Sequence, residues 1–144
     1  MPLDLFYRED GNPDGPPVLL VHAFPTSHGL WEHQIAALGQ KYRLIRPDLR
    51  GFGQSPVPEP PYTMEGFADD LRHLLDRLQI ERVNYVGISM GGMIGQVFTL
   101  AYPERVQSLA ELPYGEIRGH VSHRDFQACH LIRFALSLLG MEDF

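Results

Sequence analysis

Cysteine is nearly missing from this chain: Cys129 is its only thiol. An internal disulfide is therefore excluded, and no set of thiols is on offer for a metal cage. Long apolar runs are missing as well. No stretch reaches the length that crosses a bilayer, and Met1 to Asp10 lacks the apolar core behind positive charge that marks a secretory signal. Basic residues are scarce. Twelve Lys and Arg stand against 18 Asp and Glu, a net charge of −6, and nucleic acid needs a dense basic patch to hold its phosphates. No Gly-x-Gly-x-x-Gly occurs and no Lys-Ser/Thr follows a glycine loop, so the dinucleotide and phosphate-loop signatures are both absent. These absences lead to the expectation of a cytoplasmic protein with no membrane, nucleic-acid or cofactor requirement. What remains, 144 residues with 44% hydrophobic and 21% charged, is the make-up of one globular domain able to bury a real core.

The stretch with most information runs Val83-Asn84-Tyr85-Val86-Gly87-Ile88-Ser89-Met90-Gly91-Gly92-Met93. An apolar, β-branched run enters Gly-x-Ser-x-Gly, and a helical period follows at once. That order reads strand, very tight turn, helix, with Ser89 at the apex. Gly87 and Gly91 stand two residues either side, where a Cβ would collide as strand and helix close up. The first N–H groups of such a helix point past the serine, so the N–H of Met90 is placed to stabilise negative charge on an attacked carbonyl oxygen. A glycine-rich turn with an incidental serine is the bland alternative. The five residues Gly87 to Gly91 match in full the nucleophile elbow of the α/β-hydrolase family, which the chain resembles from about Leu3 to Leu112.

The rest of that span reads as alternating strands and helices. Leu3 to Arg8 alternates loosely as a strand, and the turn cluster Gly11 to Pro16 suggests a hairpin into Val18–Val21, an apolar run suited to a doubly buried parallel strand. Trp31, Ile35 and Leu38 share one helical face ended by Gly39. Tyr42 to Ile45 is a strand. Thr63 caps a helix to Gln79 with its apolar stripe at Met64, Phe67, Leu71, Leu74, Leu75 and Leu78, and with Asp69, Asp70, Arg72, Asp76 and Arg77 on the solvated face. A helix from Met90 ends near Pro103, and Val106 to Leu112 is one more strand. Strand–helix alternation means crossovers and a mostly parallel sheet flanked by helices, with a site at the carboxyl ends of the strands.

The resemblance implies further roles. The family's His-Gly-x-Pro corresponds to His22-Ala23-Phe24-Pro25, so the backbone N–H of Phe24 is the implied second oxyanion donor, with Ala23 standing where glycine is usual. His22 reads as a structural histidine that hydrogen-bonds this loop. Asp48-Leu49-Arg50-Gly51-Phe52-Gly53-Gln54-Ser55 resembles the family's Asp-x-Arg-Gly-x-Gly-x-Ser loop, and an Asp48–Arg50 ion pair is expected to fix it beside the elbow.

Residues 113–144 diverge, and the family's cap segment has no counterpart. Glu116 to His120 resembles a last short strand with its Gly-His. Phe126, Cys129, Ile132, Leu136 and Leu139 form a stripe for a last helix. On that reading His120 is the general base, since imidazole titrates near neutrality. Between Ser89 and His120 the acids are Glu111 and Glu116; Glu111 ends a strand and is the candidate triad acid, with a solvent-facing glutamate as the alternative. His120, His123, Asp125 and His130 do not have metal-ligand spacing. The implied function is serine hydrolysis of a small ester, lactone or related acyl compound, because the branches acting on epoxides and haloalkanes carry aspartate at the apex. The alternative is a shortened, weakly active or inactive relative that works as a binding or assembly module, pairing with a second copy through an exposed sheet edge.

Overall fold

The computed structural model describes residues 1–112. Five strands form one sheet: β1 Tyr7–Gly11, β2 Pro17–Val21, β3 Arg43–Pro47, β4 Val83–Ile88 and β5 Val106–Leu112. Their spatial order is β1-β3-β2-β4-β5. The pairs β2–β3, β2–β4 and β4–β5 are parallel, and β1 runs antiparallel to β3.

The expected hairpin does not form. The turn at 11–16 sends the chain past β3, so β1 pairs with β3 and β2 takes the centre of the sheet. Centrality suits its composition, since Val18, Leu19, Leu20 and Val21 are completely buried and a doubly covered strand can be apolar on both faces. The first strand also starts later than expected. The N–H of Leu3 donates to Asp70 and that of Phe6 to Ser55 Oγ, so these groups are bonded to side chains instead of a ladder.

Alternation along the strands divides the core in two. Leu19, Val21, Ile45 and Tyr85 face α2 (Met64–Arg77) and α3 (Met90–Ala101). Val18, Leu20, Leu44, Val86 and Ile88 face the opposite way, against Trp31 and Leu38 from a 3-10 helix (His28–Gln34) that continues into the short α1 (Ile35–Leu38). Helix α2 begins where its cap is strongest, with the Gly66 N–H donating to Thr63 Oγ1 at 3.0 Å. Each fully buried Leu of its stripe stabilises the fold by roughly 1.5–3 kcal/mol relative to an exposed one. No described helix is long and apolar enough to cross a membrane.

One residue of α2 departs from expectation. Asp70 is completely buried and does not belong to the solvated face. It lies three residues after Phe67 and four before Leu74, on the apolar stripe, and a buried charge there needs a partner. Arg50 supplies it, donating through Nε and Nη2 at 2.6 and 2.7 Å.

Candidate active site

Strand β4 delivers the chain to Ser89 and α3 carries it away. Ser89 has φ 51° and ψ −114°, a left-handed backbone that a non-glycine residue holds at a cost of order 1–3 kcal/mol. A Cβ on Gly87 would lie 2.4 Å from the Gly91 carbonyl oxygen, and one on Gly91 would lie 2.3 Å from that of Val21. The glycines thus let α3 close onto both its own strand and the end of β2. Ser89 stands at the N-cap of α3, where serine ordinarily bonds the helix backbone, yet its side chain makes no cap bond. Its N–H is taken by the Leu112 carbonyl at 2.9 Å. The intrahelical ladder begins with Met93 N–H donating to Ser89 O, so the N–H groups of Met90, Gly91 and Gly92 lack partners within α3. Tyr85 pins this first turn by donating to Gly91 O at 2.7 Å. Burial, with the Glu111 charge adding to it, pushes the Tyr85 hydroxyl well above its ordinary pKa and keeps it a donor.

The end of β2 lies alongside. Val21 pairs with Gly87 in parallel register, so Ala23 and Ser89 leave their strands at the same height. The Ala23 carbonyl accepts from His22 Nδ1 at 2.9 Å, Thr26 Oγ1 at 2.6 Å and Thr26 N–H at 2.9 Å. A peptide is planar and trans here, so the Phe24 N–H points opposite to that carbonyl, out of the turn. Ala23 replaces the usual glycine without strain, because only Gln79 and Ser89 among the described non-glycine residues have positive φ; its methyl is buried in the core beside Trp31.

His22 has the structural role expected of it. Its Nε2 accepts from Leu49 N–H at 2.9 Å, which leaves the proton on Nδ1 for the Ala23 carbonyl. Burial lowers its pKa below the ordinary 6.5 against smaller upward pulls from the Ala23 bond and Asp48.

The Asp48 loop is fixed differently from the expected Asp48–Arg50 pair. Asp48 is buried and accepts from the His28 N–H at 2.7 Å, from His28 Nδ1 at 2.8 Å and from the Gln54 N–H at 2.9 Å. Arg50 instead reaches Asp70, a bond that holds the guanidinium pKa above its ordinary value despite partial desolvation. A loop acid two residues from a loop arginine invites a local pairing, but backbone N–H groups nearer to Asp48 satisfy it and free Arg50 to reach α2. The signals for both partners were in the sequence: Asp70 interrupts an apolar stripe, and His28 follows the His22–Pro25 loop.

Glu111 lies on β5 opposite Gly87, on the face covered by α3. It is exposed, and its Oε2 accepts from Gln96 Nε2 at 2.8 Å. His120, like Glu116 and the other tail histidines, lies outside the described residues, as does the expected last helix. Among the described residues no group of His, Cys, Asp and Glu could hold a metal ion.

A mostly parallel sheet with a strained serine elbow at the carboxyl end of a central strand defines an α/β-hydrolase architecture. The family model for the alpha/beta hydrolase fold matches residues 16–111. Epoxide hydrolase 2 of Siraitia grosvenorii is 42% identical over 111 residues, covering 75% of this chain and 35% of that protein. The 3-oxoadipate enol-lactonase 2 of Acinetobacter baylyi is 39% identical over 101 residues, 70% of this chain and 38% of the relative. A thermophilic esterase structure from Thermogutta terrifontis superposes with TM-score 0.69 at 40% identity, covering 72% of this chain and 38% of the other. The chain belongs to the alpha/beta hydrolase fold family, and it spans little more than a third of the length of these relatives.

Proposed function

We propose that the chain carries the nucleophile half of a serine hydrolase acting on small esters, lactones or related acyl compounds. Ser89 Oγ attacks the acyl carbon. The carbonyl oxygen takes up the negative charge between the N–H groups of Phe24 and Met90, and a histidine takes the serine proton and returns it to the leaving group. His120 is the candidate for that histidine and Glu111 for the acid that orients it. Water then releases the acyl group. The observation that carries this reading is the backbone of Ser89, a residue held at φ 51° with its side chain withheld from capping α3.

The test is turnover of p-nitrophenyl acetate. Ser89→Ala is expected to lower kcat by at least about a hundredfold, as removal of a nucleophile does. Equal rates for parent and variant contradict the proposal.

A second reading is favoured by one feature. Among the described residues β5 has β4 on one side and no strand on the other. An open edge of this kind can serve assembly, pairing β5 with that of a second copy. Location in the cytoplasm belongs with either reading.

A further inference from the structure

We infer that Thr26 is a positioning residue, and that with His22 it locks the Ala23–Phe24 peptide in the orientation that aims the Phe24 N–H at the reacting oxygen. This rests on the reading of Phe24 as an oxyanion donor.

The lock centres on one carbonyl. A peptide oxygen has two lone pairs and ordinarily accepts one or two hydrogen bonds. Ala23 O accepts three, from His22 Nδ1, Thr26 Oγ1 and Thr26 N–H. The bond from Thr26 Oγ1 is the shortest of them at 2.6 Å. No side chain can aim an N–H directly, but whatever holds the carbonyl of a planar peptide holds the N–H on its other side. Turning this peptide over would bring the Phe24 N–H against the three donors and the carbonyl oxygen toward the serine. A carbonyl in that place repels the developing oxyanion, so the orientation decides whether the site stabilises charge.

The two side chains do different work. His22 is itself anchored, since Nε2 accepts from Leu49 N–H and ties the turn to the Asp48 loop. Thr26 is four residues on, and its hydroxyl lies 3.5 Å from His22 Nδ1. It closes the turn with both its backbone and its hydroxyl. Valine has nearly the same shape as threonine and lacks the hydroxyl, whereas serine keeps it. The pair of substitutions therefore separates hydrogen bonding from packing.

The experiment compares parent, Thr26→Val and Thr26→Ser in the whole chain. One readout is the rate of phosphonylation by a small fluorophosphonate. The other, independent of reactivity, is the nuclear Overhauser effect between Ala23 Hα and the Phe24 amide proton, which reports the orientation of that peptide. Thr26→Val is expected to slow phosphonylation about tenfold and to alter the Overhauser intensity. Thr26→Ser is expected to stay within about twofold of the parent on rate and to leave the intensity unchanged. An unchanged intensity in Thr26→Val overturns the inference. If the intensity changes while the parent takes no label, the lock stands and the nucleophile reading falls.

Discussion

At the scale of single residues, the strain at Ser89 and the protonation state of His22 each make a prediction. The φ of 51° is easy for glycine and costly for serine, and the hydroxyl makes no compensating cap bond. Ser89→Gly is therefore expected to raise stability by about 1 kcal/mol, the strain relieved less the added freedom of the unfolded chain. The same variant should lose all reactivity, so stability and activity move in opposite directions at this position. Urea unfolding alongside ester turnover checks both halves. His22 is neutral in the folded state because burial lowers its pKa. Below the ordinary 6.5 the unfolded chain takes up a proton that the fold does not. The contribution of His22 to stability is complete above that pH and is lost progressively as pH falls toward the lowered native value. Thermal melts from pH 8 to 5 should show a steeper decline for the parent than for His22→Gln. The motif made the elbow at Ser89 legible from sequence alone, because Gly-x-Ser-x-Gly stands between a β-branched run and a helical period. Thr26 was not legible, since its role is a bond to a carbonyl three residues back and a threonine in a loop advertises nothing.

At the scale of elements, the bounds of β5 and α3 follow from apolar period and punctuation, and the structure reproduces them at Val106–Leu112 and Met90–Ala101. Pairing was harder. A turn cluster at 11–16 is compatible with a hairpin or with a passage to a more distant strand, and the choice depends on β3, some thirty residues further on. Long-range partners escaped for the same reason. Asp70 accepts from Arg50 and from the Leu3 N–H at 2.7 Å, joining α2, the 48–55 loop and the N-terminal segment across 67 positions of sequence. Asp70→Ala leaves the Arg50 guanidinium partly buried without its partner and is expected to cost about 3–5 kcal/mol, read as a lowered urea midpoint. The contact between β2 and α3 is equally sharp. Gly91→Ala sets a methyl 2.3 Å from the Val21 carbonyl and is expected to cost about 3 kcal/mol, since backbone on both sides must move. It should also displace the Met90 N–H, so reactivity falls further than the lost stability alone explains.

At the scale of the whole molecule, the described sheet brings the Ser89 elbow and the end of β2 together at one end and leaves β5 open at one side. Sequence gave access to the family because the matched region, residues 16–111, contains the elbow, the Phe24 loop and the Asp48 loop together. It gave no comparable purchase on the base and acid, because Gly119-His120 is two residues without a strand pattern to frame them and Glu111 is held by Gln96 on the flank of α3. If β5 pairs with a second copy, light scattering will give a mass near twice 16.3 kDa; a strict monomer counts against the assembly reading. The account as a whole turns on whether Ser89 Oγ is an activated nucleophile. Its most direct test is peptide mapping by mass spectrometry after exposure of the folded chain to a fluorophosphonate. The account predicts one phosphonyl adduct on the peptide that contains Ser89, absent from Ser89→Ala. A folded chain that takes no adduct, or takes it at another residue, contradicts it.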